Sequence, residues 1–185
     1  MVITTHPDRT ASPRLRRTGR WLAAFSLVVA VAIPLFTAGL WMLAPADELM
    51  RAAGLPFSGP HEWPLWKRTA GLAITAAPLA ALVFSLLGAR RCFHELAAGR
   101  LVSADMARGL KAMACGMALT AILRPVAAAA ASVLASLSRP PGQRSLVINL
   151  SSDLLVLLVF AAAVFVVAHA MARATAIADD HAGFV

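Results

Sequence analysis

Apolar residues gather along the chain in four long blocks separated by polar, proline-bearing segments. The first block, residues 21–43, contains no charge. At 1.5 Å of helical rise per residue it is about 35 Å long, enough to cross an apolar layer of roughly 30 Å with some tilt. Residues 69–89 form a second block, ended by Arg90 and Arg91; residues 112–137 form a third and 150–171 a fourth. The pattern predicts an all-α, polytopic membrane protein built as a four-transmembrane-helix bundle. A cleavable signal peptide has an apolar region of about 7–15 residues, so the longer first block reads as a retained anchor.

The connecting segments read differently from one another. Residues 1–20 hold five arginines with Pro7 and Pro13 and are expected to form a disordered basic arm ahead of a membrane domain spanning 21–185. Between the first two blocks, Pro45, Pro56, Pro60 and Pro64 are expected to interrupt regular structure, and Trp41, Trp63 and Trp66 mark a membrane–water boundary. Residues 90–111 form a basic connection. There Ser103 is placed to cap a helix starting at Ala104, with Asp105 in its first turn. The apolar residues Phe93, Leu96, Leu101, Met106 and Leu110 are interleaved with Arg91, His94, Arg100, Arg108 and Lys111. That mixture predicts segments lying along the headgroups, or a docking surface for a cytoplasmic protein.

Composition agrees with a membrane setting. Of 185 residues 59% are hydrophobic and only 14% charged, with mean hydropathy +0.74; soluble domains carry about 25% charged residues. The net charge of +8 comes from basic residues that flank the apolar blocks. This placement suits anionic headgroups, and no direct nucleic-acid binding is expected. The arm, residues 90–111 and the tail 172–185 hold 11 basic residues, and the two other connections hold five. The excess predicts that both termini are cytoplasmic. Abundant Ala and Arg and the absence of Tyr suit a bacterial genome rich in G and C, and hence the bacterial inner membrane.

Little in the chain reads as chemistry. Two cysteines without a nearby histidine pattern make no zinc site, and the blocks contain no convergent nucleophile, acid–base or metal set. No cofactor, metal or enzymatic activity is expected. Asp153, after Ser151 and Ser152, reads as a helix N-terminal acid. Pro34, Pro78 and Pro125 are expected to kink their helices. Arg124 is the unusual residue, since a charge at the centre of a span costs about 2.5–3.5 kcal/mol on insertion scales. It either faces the bundle interior and holds an anion, a lipid headgroup or a partner's carboxylate, or it snorkels or donates to the Ala121 carbonyl that Pro125 leaves unpaired.

The stretch CFHELAAGRLVSADMARGLKAMACGMAL resembles the central signature of the bacterial domain of unknown function 2975 family. The family's aromatic-x-x-Leu-x-x-Gly-x-hydrophobic element falls on Phe93, Leu96, Gly99 and Leu101, its helix cap on Ser103, and its following helix carries Leu110 and Gly116. The closing segment is similar too, through Ile177, Asp179, Asp180, Phe184 and Val185. Here Asp-Asp replaces the usual Glu-Asp, and Val102 stands where the family has Phe. The resemblance implies four membrane helices and, because genes of the family often neighbour small helix-turn-helix regulators, a regulatory association. The expected function is therefore that of a non-enzymatic accessory or regulatory membrane component. It would engage a cytoplasmic regulator or lipid through Phe93, Leu96, Gly99, Arg100, Arg108, Lys111, Asp179 and Asp180. The alternative is a small transporter or channel subunit, homo-oligomeric and using Arg124.

Overall fold

The computed structural model describes residues 13–52, 63–100, 103–137 and 152–182. The elements are α1 (Pro13–Leu43), α2 (Ala46–Ala52), α3 (Leu65–Ala98), α4 (Ala104–Ser136) and α5 (Ser152–Ala182), and no strand occurs among the described residues. The first two predicted apolar blocks lie within longer helices, the other two coincide with α4 and α5 over 112–136 and 152–171, and α1, α3, α4 and α5 are all long and apolar enough to cross a membrane. The helices continue through Pro34, Pro78 and Pro125. Two boundaries differ from expectation. Helix α1 starts at Pro13, so residues 13–20 of the basic arm are helical; a proline at the first helical position lacks only an N–H that would be unpaired anyway. Between Pro45 and Pro56, where interruption was expected, α2 forms a short helix with Asp47 and Glu48 in its first turn.

The basic connection 90–111 is where the fold departs most from the sequence reading. Residues 90–98 complete α3, and 104–111 begin α4. From Arg90 onward no proline or glycine stands in the way until Gly99, and α3 runs on to Ala98. The apolar faces of the two helical extensions pack on each other: Cys92 and Ala107 are buried, and the Cys92 thiol donates to the Met106 carbonyl at 3.6 Å. With 34 and 33 residues, α3 and α4 are each about 50 Å long, roughly 20 Å more than the apolar layer. The ends that meet at residues 98–104 form a helical hairpin.

The bundle is open. Among the described residues extensive packing joins α1 to α3, α3 to α4 and α4 to α5 and no other pair, so the four long helices stand in a row with α1 and α5 at its ends. Each end helix buries one narrow seam of small residues: Gly19, Ala23, Ser26 and Ala30 on α1, and Ala161 and Ala168 on α5. Spacings of three, four and seven keep such a seam on one face of a helix. The central pair is closest. A Cβ on Gly88 would fall 2.6 Å from the Met113 nitrogen and 2.8 Å from the Gly109 carbonyl oxygen, and one on Gly116 would fall 2.7 Å from Ser85. Small residues are what allow membrane helices to approach this closely, and the Ser85 hydroxyl uses the proximity to donate to the Met113 carbonyl at 3.0 Å.

At the end of the bundle remote from the hairpin, Arg68 fastens α1 to α3. Its Nη1 donates to the carbonyls of Met42 (2.8 Å), Ala44 (3.0 Å) and Trp41 (3.1 Å), at the C-terminus of α1. Helix α1 has no basic residue in its own last turn, so α3 supplies the cation that its unpaired carbonyls and dipole favour. Trp63 lies 6.1 Å from Trp41 between ring centroids, and the Lys67 ammonium stands 5.8 Å and 5.6 Å from the Trp63 and Trp66 rings. Replacing Arg68 with methionine removes the charged donor and keeps the aliphatic stem. The expected cost is about 2 kcal/mol, the scale for hydrogen bonds to a charged group, read as a lower midpoint in denaturant titration of the detergent-solubilised chain followed by tryptophan fluorescence.

Candidate functional site

The turn between α3 and α4 gathers most of the residues that the sequence singled out. Gly99, at φ 82°, is the one described residue with left-handed backbone. Its N–H donates to the Leu96 carbonyl at 3.1 Å, and the Arg100 N–H donates to the Glu95 carbonyl at 3.1 Å. This Schellman geometry ends α3 and explains the glycine. Three residues on, the Ser103 hydroxyl accepts from the Met106 N–H at 3.0 Å and caps α4, as its position before Ala104 predicted.

Between these two caps lies Glu95, buried at 7% exposure. Arg100 grips its carboxylate with both arms, Nε to Oε2 at 2.9 Å and Nη2 to Oε1 at 2.8 Å, and the Ser103 hydroxyl donates to Oε2 at 3.0 Å. A fork-to-fork pair fixes orientation as well as distance. One carboxylate thus ties the end of α3 to the start of α4. The Arg100 hydrogen bonds hold the Glu95 carboxyl below its ordinary value; burial opposes them and the Ser103 hydroxyl assists. A carboxylate depressed in the folded state contributes stability that is complete above its unfolded value, near 4.3, and is lost as pH falls through the lower folded one. The turn is therefore expected to stay closed at neutral pH and to loosen only in acid below about pH 4. Faster amide exchange at Gly99, Arg100 and Met106 in acid, after correction for the intrinsic pH dependence of exchange, checks this, and Glu95→Gln should abolish the extra acid sensitivity.

Beside the turn, Arg91, His94, Glu95, Asp105 and Arg108 line a half-open cleft of about 310 Å³. Arg108 Nη2 pairs with Asp105 Oδ1 at 2.7 Å, and both side chains are exposed. Helix α1 joins the same end of the bundle through Arg16, whose Nε donates to the Ala97 carbonyl at 3.3 Å. The other candidates are more scattered. Phe93 and Leu96 are half-buried, and Lys111 is exposed with its ammonium 5.9 Å from the Phe165 ring, leaning toward α5. Asp179 and Asp180 belong to α5, but their side chains lie outside the described residues, as does Leu101 altogether. Arg100 is paired with Glu95 yet remains exposed, its side chain 63% accessible. The residues that line the cleft with Arg108 were visible in sequence only as the polar half of an amphipathic pattern.

Arg124 does not face a bundle interior. It is exposed, whereas Thr120, Ala121 and Ala127, its neighbours three and four positions away, are buried. The Gly109–Gly116 line of α4 packs on α3. A second buried line, Ala107, Ala114 and Ala121, runs roughly 150° round the helix. Arg124 rises between them, into the notch that a closed bundle would fill and this open row leaves uncovered. Among the described residues it makes no hydrogen bond or ion pair, so the bond to the Ala121 carbonyl is not formed.

Four apolar helices of spanning length, a small-residue seam at each contact and polar residues gathered at the ends define a multi-pass membrane protein. No family profile, curated protein or solved structure matches the chain.

Proposed function

We propose that the chain is a regulatory or accessory component of a bacterial inner membrane, related to the domain of unknown function 2975 family. In this reading both termini are cytoplasmic, and the α3–α4 hairpin engages a cytoplasmic protein. The observation that carries it is the hairpin itself. Two helices project beyond the apolar layer, locked by Glu95, Arg100 and Ser103, and hold Arg91, His94, Asp105 and Arg108 around an accessible cleft. A preorganised polar surface binds without the ordering cost of a flexible loop. The basic excess at the same end supports the orientation.

Co-purification from gently solubilised membranes tests the reading. A stoichiometric partner is expected with the wild-type chain and with Arg14→Glu, and is expected to be lost in Arg91→Glu/Arg108→Glu. Absence of any stoichiometric partner, or one that tolerates the cleft double variant, overturns it.

The exposed, mid-span position of Arg124 favours a second reading, a small oligomeric transporter or channel subunit in which a neighbouring chain covers the notch. Unchanged anion flux in proteoliposomes carrying Arg124→Leu would dismiss it.

A further inference from the structure

A second cleft lies at the hairpin end of the bundle, between α1 and α3, and its chemistry differs from that of the first. It encloses about 410 Å³ and is walled by Arg20, Ala23, Ala24 and Leu27 from α1 and by Arg90 and His94 from α3, with two alanines of α3 above. The register of the helices follows from two close contacts. A Cβ on Gly19 would fall 2.8 Å from the Ala97 nitrogen, and the Trp41 ring lies against Gly71. Arg20 therefore stands nearly opposite His94, and Arg90 lies about one helical turn, roughly 5 Å, closer to the apolar layer.

Three features of this groove act together. Arg20, Arg90 and His94 are all exposed, and among the described residues no carboxylate lines the groove. Its floor is apolar, formed by Ala23, Ala24 and Leu27. Arg20 and Arg90 immediately flank the uncharged blocks 21–43 and 69–89, so the basic groups sit at the depth where headgroups meet acyl chains. A free phosphate has no use for the apolar floor, and a protein segment would have to reach headgroup depth. A phospholipid matches both halves, with its phosphodiester between the guanidinium groups and the start of an acyl chain along the alanine floor. Basic pockets between membrane helices recognise anionic headgroups in this way.

We propose that the groove between α1 and α3 is a binding site for one anionic phospholipid, held by Arg20 and Arg90 with His94 beside them. It shares His94 with the hairpin cleft but takes both its arginines from elsewhere, and it needs no protein partner.

The full chain is reconstituted into vesicles of equal parts phosphatidylglycerol and phosphatidylcholine, extracted in neutral detergent, and its retained lipid counted by native mass spectrometry. One phosphatidylglycerol per chain is expected to survive, with phosphatidylcholine retained far less. Arg20→Gln/Arg90→Gln is expected to weaken retention about thirtyfold, from two basic contacts near the headgroup. Arg14→Gln/Arg173→Gln, the same change in net charge away from the groove, should leave it intact. Ala24→Trp keeps the charges but fills the floor, and should also expel the lipid. Equal retention of the two lipids by the wild type overturns the proposal, as does equal loss in both arginine double variants. Displacement of the phosphatidylglycerol by millimolar inorganic phosphate would instead assign the site to a free anion.

Discussion

Gly88→Val is expected to force α3 and α4 apart and to cost about 3 kcal/mol, the upper part of the range for overpacking. A Cβ at this position would meet the Met113 nitrogen at 2.6 Å and the Gly109 oxygen at 2.8 Å, both of them backbone atoms. No rotamer change relieves such a contact, so one helix has to move. Movement also lengthens the Ser85–Met113 hydrogen bond and exposes Cys92, which packs against Gly109. Denaturant titration of the detergent-solubilised chain measures the loss, and Gly39→Ala serves as the control. Nothing lies within 4 Å of a Cβ at Gly39, so alanine there should be neutral or stabilising by up to about 1 kcal/mol through helix propensity. A destabilisation at Gly88 no larger than that at Gly39 would mean that the α3–α4 contact is not the centre of the fold.

Arg124→Leu is expected to have the opposite sign in an insertion assay on residues 112–137. Arginine at mid-span costs about 2.5–3.5 kcal/mol and leucine is favourable by a few tenths, so the gain is about 3 kcal/mol or more, over a hundredfold in the inserted fraction. Arg124→Lys should recover little of it. In the whole chain the gain should persist, because Arg124 makes no ion pair among the described residues. An arginine buried and paired within the bundle would instead be missed when replaced. If leucine produces no gain in the isolated span, Arg124 does not lie at mid-depth.

The spans were legible because apolar runs of about twenty residues, even with Arg124 inside the third and Asp153 near the start of the fourth, have few alternatives to a membrane helix. The Ser103 cap was legible because capping is local. The open row was not. In a membrane both the packed and the lipid-facing sides of a helix are apolar, so the seam on α1 differs from its surroundings in side-chain size and not in polarity. Gly19, Ala23, Ser26 and Ala30 are unremarked small residues until their burial is seen. The helical hairpin was not legible for a related reason: an apolar stripe on residues 90–111 serves a lipid surface or a second helix equally well. Arg68 reads as a boundary charge, and nothing local reveals that it reaches carbonyls 24 to 27 residues earlier. Within the hairpin cleft, Arg108 was singled out in advance, whereas its grouping with Arg91, His94 and Glu95 depends on how two helices cross.

The turn that joins α3 to α4 also bears on the order in which the chain assembles. Glu95, Gly99, Arg100, Ser103 and Met106 fall within twelve residues, so their bonds close a short loop at little entropic cost. They need no distant partner. The hairpin can therefore nucleate at this turn and zip along Gly109 and Gly116 away from it, a sequence dominated by local contacts and correspondingly fast. Helices α1 and α5, each with a single seam, have only to dock on a pair already formed, and α1 waits for Arg68 although it is synthesised first.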